Sequence, residues 1–324
     1  MLSRKIRSVF NPSFYQGWGK TSKYFEGWYF KVVDTTEKYA FAFIPGIAMD
    51  ENGKKQAFIQ VLDGKRKTAV YHRFDASDFV PATDRFEVQI QQNKFSNNEL
   101  ALDLPGISVN LKFENSVPWP NPWYSPGIMG PYTFVPFMEC YHGIVSMDHV
   151  IEGSINIDKE RIDFSNGKGY IEKDWGRSFP SAYVWMQSNH FKQKNTSLKV
   201  SVAKIPWVRN SFVGFIAGLW LKDHLIQFTT YNKSKLVQSI IDKDQVELLL
   251  QNRHYKLEIR ARRDDATSLA SPILGFMDGR IEESMTSNIE VWLTDLKSNK
   301  VIFHDTGRNT GLEVAGKIDE IIIP

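Results

Sequence analysis

Alternation with a period of two runs through most of this chain. Phe41, Phe43 and Pro45 alternate with Ala42 and Ile44, and Phe86, Val88 and Ile90 with Glu87 and Gln89. Leu198, Val200 and Val202 alternate with Lys199 and Ser201, and Leu257, Ile259 and Ala261 with Glu258 and Arg260. Successive side chains of a strand point to opposite faces, so this pattern predicts strands with one face on a core. Turn-forming residues fall between the runs: Glu51-Asn52-Gly53, Asp63-Gly64, Asn97-Asn98, Ser165-Asn166-Gly167 and Ser298-Asn299. No segment holds an apolar stripe at helical spacing for three turns. Short helical pieces are expected only near Ser268 to Phe276. The spacing predicts an all-β, mostly antiparallel chain.

A proline-rich stretch from Val117 to Pro131 interrupts the middle. Proline at that density excludes a central strand. With Trp119 and Trp123 it reads as a structured loop, either a cap on a barrel mouth or a crossover on an outer surface. Strands resume at Tyr141 and run to about Gly169. A second series runs from near Tyr183 to Gly316. Two β-barrels in tandem are therefore expected, over 20–176 and 177–324, with Gly169–Pro180 at the junction. Ala40–Gly64 and Val213–Asn232 both read as long apolar hairpins, too loosely alike to count as a repeat.

Composition narrows the function. The 324 residues are 42% hydrophobic, enough for a sizeable core and against disorder. Phe, Tyr and Trp exceed what a core requires, and surplus rings suit a ligand cavity or a sheet surface. A net charge of +3 is too small for a nucleic-acid partner. The runs Lys65-Arg66-Lys67 and Arg260-Ala261-Arg262-Arg263 read as solvated loop ends, with peripheral membrane contact as the alternative. Cys140 is the single cysteine, which excludes an intrachain disulfide, and it reads as a buried small hydrophobe. Met1 to Phe10 is basic without the apolar core of a signal peptide, and no stretch is apolar enough to span a bilayer. A cytoplasmic or membrane-peripheral protein is expected.

Metal and nucleotide chemistry have no signature here. The seven His form no His-x-His or His-Glu-x-x-His pattern. No glycine-rich phosphate loop or nucleophile elbow occurs. Neither a metal nor a cofactor is expected, and acid–base chemistry is the remaining class.

Two aromatic stretches hold the candidate acids. In Tyr24-Phe25-Glu26-Gly27-Trp28-Tyr29-Phe30-Lys31, a strand puts Glu26, Trp28 and Phe30 on one face. Glu26 is then either a desolvated acid or a structural pin held by an Arg or backbone donors. In Gly169-Tyr170-Ile171-Glu172-Lys173-Asp174-Trp175-Gly176, Tyr170, Glu172 and Asp174 share a face. Two neighbouring carboxylates favour one proton between them, so one can act as a general acid. The competing reading is an Asp174–Arg177 ion pair that locks a turn, and Gly176 suggests a bend. His142 is either a satisfied core histidine or a proton relay. Tyr183, Trp185, Gln187 and Asn189 share a strand face and offer two rings and two amides to a polar head group.

These stretches resemble the tocopherol cyclase family. The resemblance rests on Lys23–Lys31, Gly167–Gly176, Pro180–Phe191 and Gly311–Gly316, spread in family order over nearly the whole chain. It implies closure of a chromanol ring on a prenylated benzoquinol, without cofactor, inside tandem lipocalin-like β-barrels. It also implies kinship with carotenoid hydratases, in which an Asp before an aromatic-Gly pair and an upstream His matter. Asp174 and His142 look equivalent here. Trp28, Trp175 and Trp185 would then face the cation formed on protonating the alkene, with Tyr170 beside the substrate. The plastid-targeting extension of plant members is not seen, which implies a bacterial-type member whose prenylquinol, or related isoprenoid lipid, differs. A hydratase and a non-catalytic carrier of a hydrophobic ligand are the alternatives.

Overall fold

A computed structural model describes residues 2–324, with side chains from Arg4 onward. A short helix, α1 (Leu2–Val9), precedes the strands β1 (Tyr24–Val33), β2 (Ala40–Met49), β3 (Lys55–Asp63), β4 (Thr68–Phe74), β5 (Phe79–Pro81) and β6 (Glu87–Ile90). Then come β7 (Asn93–Ser96), β8 (Glu99–Leu104), β9 (Ile107–Glu114), β10 (Cys140–Ile157), β11 (Glu160–Asp163) and β12 (Gly167–Gly176). The second series is β13 (Ala182–Ser188), β14 (Thr196–Trp207), β15 (Asn210–Leu221), β16 (His224–Thr229) and β17 (Lys235–Ile241). It ends with β18 (Gln245–Gln251), β19 (Tyr255–Arg262), β20 (Thr267–Ile273), β21 (Phe276–Asp295) and β22 (Lys300–Gly316).

The first sheet runs β4-β3-β2-β1-β12-β10-β9-β8-β7-β6-β5, with β11 on β10. The second runs β16-β15-β14-β13-β22-β21-β19-β18-β17, with β20 on β21. In each, the first strand of the series pairs antiparallel with the last, β1 with β12 and β13 with β22. The all-β, lipocalin-like class with few short helices expected above is what the chain adopts. Both ladders are open-ended, with β4 and β5 at the edges of one and β16 and β17 at the edges of the other. No pairing that would close either into a barrel is seen among the described residues.

By internal contacts the chain divides into two units. Unit 1 takes the chain up to Phe179 together with Leu269–Arg280, and unit 2 takes Pro180–Ser268 and Ile281–Pro324. The unit 1 core is built from alternate positions: Trp28, Phe30 and Val32 of β1, Phe41 and Phe43 of β2, Ile59 of β3 and Ile171 of β12. Each fully buried large apolar side chain contributes about 1.5–3 kcal/mol. The other face of β1 is buried as well, including Phe25, Tyr29 and Lys31, which is why β1 and β2 read as nearly unbroken apolar runs. In unit 2, Val184 and Met186 of β13 pack with Leu198, Val200, Leu257 and Val291.

Ser268–Phe276, expected to be partly helical, is instead the meeting of β20 and β21. Leu274 and Gly275 have φ of 47° and 89°, the two-residue turn that suits a twisted hairpin. A Cβ on Gly275 would lie 2.1 Å from the backbone nitrogen of Tyr24, so glycine is required there. The hairpin tip is fastened within unit 1. Gly275 accepts from Met49 N at 3.0 Å, and the Gln60 amide both donates to and accepts from the Ala270 backbone, at 3.1 and 3.0 Å.

The proline-rich stretch is an ordered loop between β9 and β10, ending in a 3₁₀ turn at Gly130–Phe134. Asn121 donates to the Phe10 carbonyl at 2.9 Å and accepts from Gly127 N at 3.0 Å, so the loop is tied to the N-terminal segment. Cys140, read from sequence as buried, is partly exposed at the start of β10.

Candidate functional site

Strand register assembles four of the candidate residues on one face of the first sheet. β12 is extended, so Tyr170, Glu172 and Asp174 project together, opposite to Ile171, Lys173 and Trp175. β10 places His142 directly across from Asp174 and Ile144 across from Glu172. His142 Nδ1 lies 2.5 Å from Asp174 Oδ1, and its Nε2 lies 3.5 Å from Glu172 Oε2. The latter spacing is too long for a well-formed hydrogen bond, and Nε2 has no other partner. Behind it, the Tyr170 hydroxyl donates to Glu172 Oε2. Burial and the Glu172 carboxylate hold the Tyr170 phenol well above its usual pKa, so it stays a donor. Exposure is graded along this row: the Asp174 side chain is 23% exposed, His142 13% and Glu172 5%. The Cys140 thiol lies 4.0 Å from Asp174 Oδ1. Asp174 makes no ion pair with Arg177 among the described residues.

His142, Glu172 and Asp174 are also the one group of possible metal ligands found among the described residues. The two carboxylates address opposite ring nitrogens, however. The arrangement offers proton transfer through the imidazole as well as three ligand atoms.

Glu26 occupies the opposite face, in a sealed ion pair. Its Oε1 lies 2.6 Å from Lys173 Nζ, and both side chains are fully buried. Gln16 N donates to its two oxygens at 2.9 and 3.0 Å, Gly17 N donates at 3.0 Å, and the Tyr24 hydroxyl donates as well. Lys173 in turn donates to the carbonyls of Pro12, at 3.0 Å, and Phe14. Burial raises the Glu26 pKa and lowers that of Lys173 to about 8, and each partner offsets part of the other's shift. Trp28 and Trp175 flank this ammonium, with ring centroids 4.9 and 4.6 Å from Nζ. Trp28 also stacks on Phe86, and Trp175 on Tyr141. Both indoles therefore face Lys173 and not Asp174. The alternation in Glu172-Lys173-Asp174 already held this signal. It sends Lys173 to the side on which Glu26 and Trp28 lie, and sequence reasoning gave Lys173 no role.

Beside Asp174 the sheet is bare. Gly27 of β1 pairs with Asp174 on one side and with Gly46 of β2 on the other, and Gly46 pairs with Phe58 of β3. The two glycines differ. A Cβ on Gly46 would meet Phe58 Cζ at 2.4 Å and the Glu26 carbonyl oxygen at 2.5 Å, so the Phe58 ring requires it. A Cβ on Gly27 would meet nothing closer than 3.5 Å, and no left-handed backbone demands glycine there. Gly27 is also the single partly exposed position of β1. A methyl at Gly27 would therefore sit in ordinary contact with the Pro45 carbonyl, the Ile44 side chain and the edge of Phe58.

β10 is bulged between Ile144 and Ser146 and again between Ser146 and His149. His149 is turned inward, with Nδ1 3.0 Å from Ser146 Oγ and its ring 4.5 Å from that of Phe113. Burial lowers its pKa to about 3. In unit 2, Tyr183, Trp185 and Gln187 lie on the face of β13 opposite its core, with Asn189 just beyond the strand, and all four are buried. The Tyr183 hydroxyl donates to Glu313 Oε2 at 2.7 Å, and Glu313 pairs in register with Trp185.

The sequence of residues 107–316, from β9 to the end of β22, matches the model of the tocopherol cyclase-like family. The chain belongs to that family. Among named relatives of this tocopherol cyclase-like chain, a probable chloroplastic tocopherol cyclase of Oryza sativa subsp. japonica is 24% identical over 56% of the chain and 40% of its own length. The chloroplastic tocopherol cyclase of Zea mays is 34% identical over 21% of the chain and 14% of its own length. The chain thus spans less than half the length of these relatives. Similar crystal structures are CghA (TM-score 0.58, 11% identity, 90% of this chain and 88% of that one) and a protein described as an AttH of Nitrosomonas europaea (0.52, 15%, 91% and 93%). Kievitone hydratase of Nectria haematococca is also similar (0.51, 10%, 91% and 89%). At these identities the likeness is one of fold.

Proposed function

We propose that this tocopherol cyclase-like chain is an acid-catalysed enzyme that closes a chromanol ring on a prenylated benzoquinol. The observation that carries this reading is the row Asp174–His142–Glu172, with its most accessible carboxyl across from Gly27. A carrier of an apolar ligand needs a greasy surface. It does not need two carboxylates sharing an imidazole.

In the proposed reaction, Asp174 is the general acid. Its proton forms a C–H bond at the less substituted alkene carbon as the π bond breaks, leaving a tertiary cation. The phenolic oxygen then forms the ring C–O bond, and the phenolic proton returns to the Asp174 carboxylate. His142 positions Asp174 through Nδ1, and Glu172, which accepts from the Tyr170 hydroxyl, faces the other ring nitrogen. We assign Glu26 a structural role, because its oxygens are already taken by Lys173, Tyr24 and two backbone N–H groups. We place the alkene over Gly27, which stands across from Asp174 without a side chain, beside the edge of Phe58. Tyr183, Trp185, Gln187 and Asn189 lie in unit 2, and we assign them no step of this reaction.

The same row would also serve a hydratase, with water in place of the phenol. Incubation with a phytylated dimethylbenzoquinol under reducing conditions in heavy water separates the readings. A cyclase yields a chromanol with one non-exchangeable deuterium, whereas a hydratase yields a product heavier by one water. Quinol that is bound and recovered unchanged would sink both.

A further inference from the structure

Residues 115–138, between β9 and β10, contain no Asp, Glu, Lys, Arg or His in 24 positions, yet six are aromatic and six are proline. Such a segment would ordinarily bury its rings. Trp119 does so, at 4% exposed, but Trp123 is 78% exposed, Tyr124 64%, Phe134 48% and Phe137 47%. The Trp123 and Tyr124 rings meet edge to face at 5.7 Å, which fixes them as one projecting pair. The prolines and the Asn121 contacts hold the loop in shape, so the rings are displayed by an ordered segment.

The neighbouring element supplies charge. Phe10, just after α1, packs on Phe134 at 5.9 Å, and its carbonyl receives the Asn121 amide. α1 itself presents exposed Arg4, Lys5 and Arg7 together with exposed Ile6. It carries no acidic residue in its first turn. Trp and Tyr favour the headgroup level of a bilayer, where one end of the ring is apolar and the other wet. Basic residues beside them favour an anionic leaflet.

We infer that the 115–138 loop and α1 together form a docking surface for an anionic lipid bilayer. The loop inserts Trp123 and Tyr124 at headgroup depth, and Lys5 and Arg7 hold the surface charge. The loop runs directly into the strand that carries His142, so the same surface lies one short segment from the proposed chemistry. This inference does not depend on turnover, and its test reads binding alone.

The full chain would be floated with vesicles of phosphatidylcholine alone, or with about a third phosphatidylglycerol. Expected is co-flotation with the anionic vesicles that weakens with salt. It should fall about tenfold in Trp123→Ser/Tyr124→Ser, and comparably in Lys5→Glu/Arg7→Glu, with unchanged melting temperature. All four side chains are exposed, so neither double variant threatens the fold. No flotation of the wild-type chain would overturn the inference. So would flotation that survives the loop substitutions, or self-association in gel filtration that the loop substitutions abolish.

Discussion

Lys173 and Asp174 are adjacent in sequence and stand on opposite faces of one strand. The ammonium is sealed against Glu26 at 2.6 Å, and the carboxyl meets His142 at 2.5 Å. One peptide unit thus separates the element that holds the sheet from the element proposed to act on substrate. Substitutions at the two positions should divide accordingly.

Asp174→Asn keeps a side chain that can accept from His142 but has no carboxylic proton to give. Turnover of the phytylated quinol should fall by about 10²–10⁴. The melting temperature should stay within a few degrees, because the side chain is partly exposed. A variant that unfolds instead would assign Asp174 to structure.

Lys173→Met and Glu26→Gln should each destabilise the protein by about 3–5 kcal/mol, because each leaves a buried, hydrogen-bonded partner without its counter-charge. The double variant should be more stable than the sum of the two losses predicts. Urea unfolding of the four proteins completes the cycle. Strict additivity would mean that the pair is not coupled.

Gly27 and Gly46 should respond differently to a methyl group. Gly46→Ala forces the Phe58 ring and the Glu26 carbonyl aside, and should cost about 1–3 kcal/mol. Gly27→Ala should leave stability nearly unchanged, and Gly27→Val should raise KM about tenfold by setting a branched side chain across from Asp174. An unchanged KM in a folded Gly27→Val variant would remove the substrate from that position.

His149 should make the protein sensitive to acid. Its pKa is about 3 in the folded state against 6.5 ordinarily, so the unfolded chain takes up a proton that the folded one refuses. Stability should therefore decline as pH falls from 6.5 towards 3. The slope is about 1.4 kcal/mol per pH unit, roughly 4 kcal/mol in all. His149→Gln should flatten that limb by one proton in denaturant titrations run across the window. Parallel curves for the two proteins would show that the imidazole titrates normally in the fold.

Much of this was legible in the residues. Alternation located the strands, and it put Tyr170, Glu172 and Asp174 on one face before any pairing was known. It blurred at Ala40–Met49 because both faces of that strand are buried, so polar positions vanish. Leu274-Gly275 carries no turn signal because leucine rarely adopts positive φ, so the segment around it reads as helix. The meeting of His142 with Asp174 depends on the register of β10 against β12, and two bulges in β10 put that register beyond the reach of counting. The sealing of Glu26 depends on Pro12 to Gly17, whose backbone groups no pattern of side chains announces. The bare patch at Gly27 is a matter of what neighbouring strands lack.

The pairing of β1 with β12, and the inclusion of Leu269–Arg280 in unit 1, constrain how this chain reaches its native state. Contacts between segments so distant in sequence form late and slowly, because loop closure must precede any gain from pairing. During synthesis, β1 and β2 emerge with their apolar faces long before β12 exists to cover one edge, and the Gly275 turn arrives later still. A nascent chain stopped at Phe179 would lack the hairpin whose Phe276 covers Ala48 and Phe58, and that intermediate is where a need for chaperone protection should concentrate.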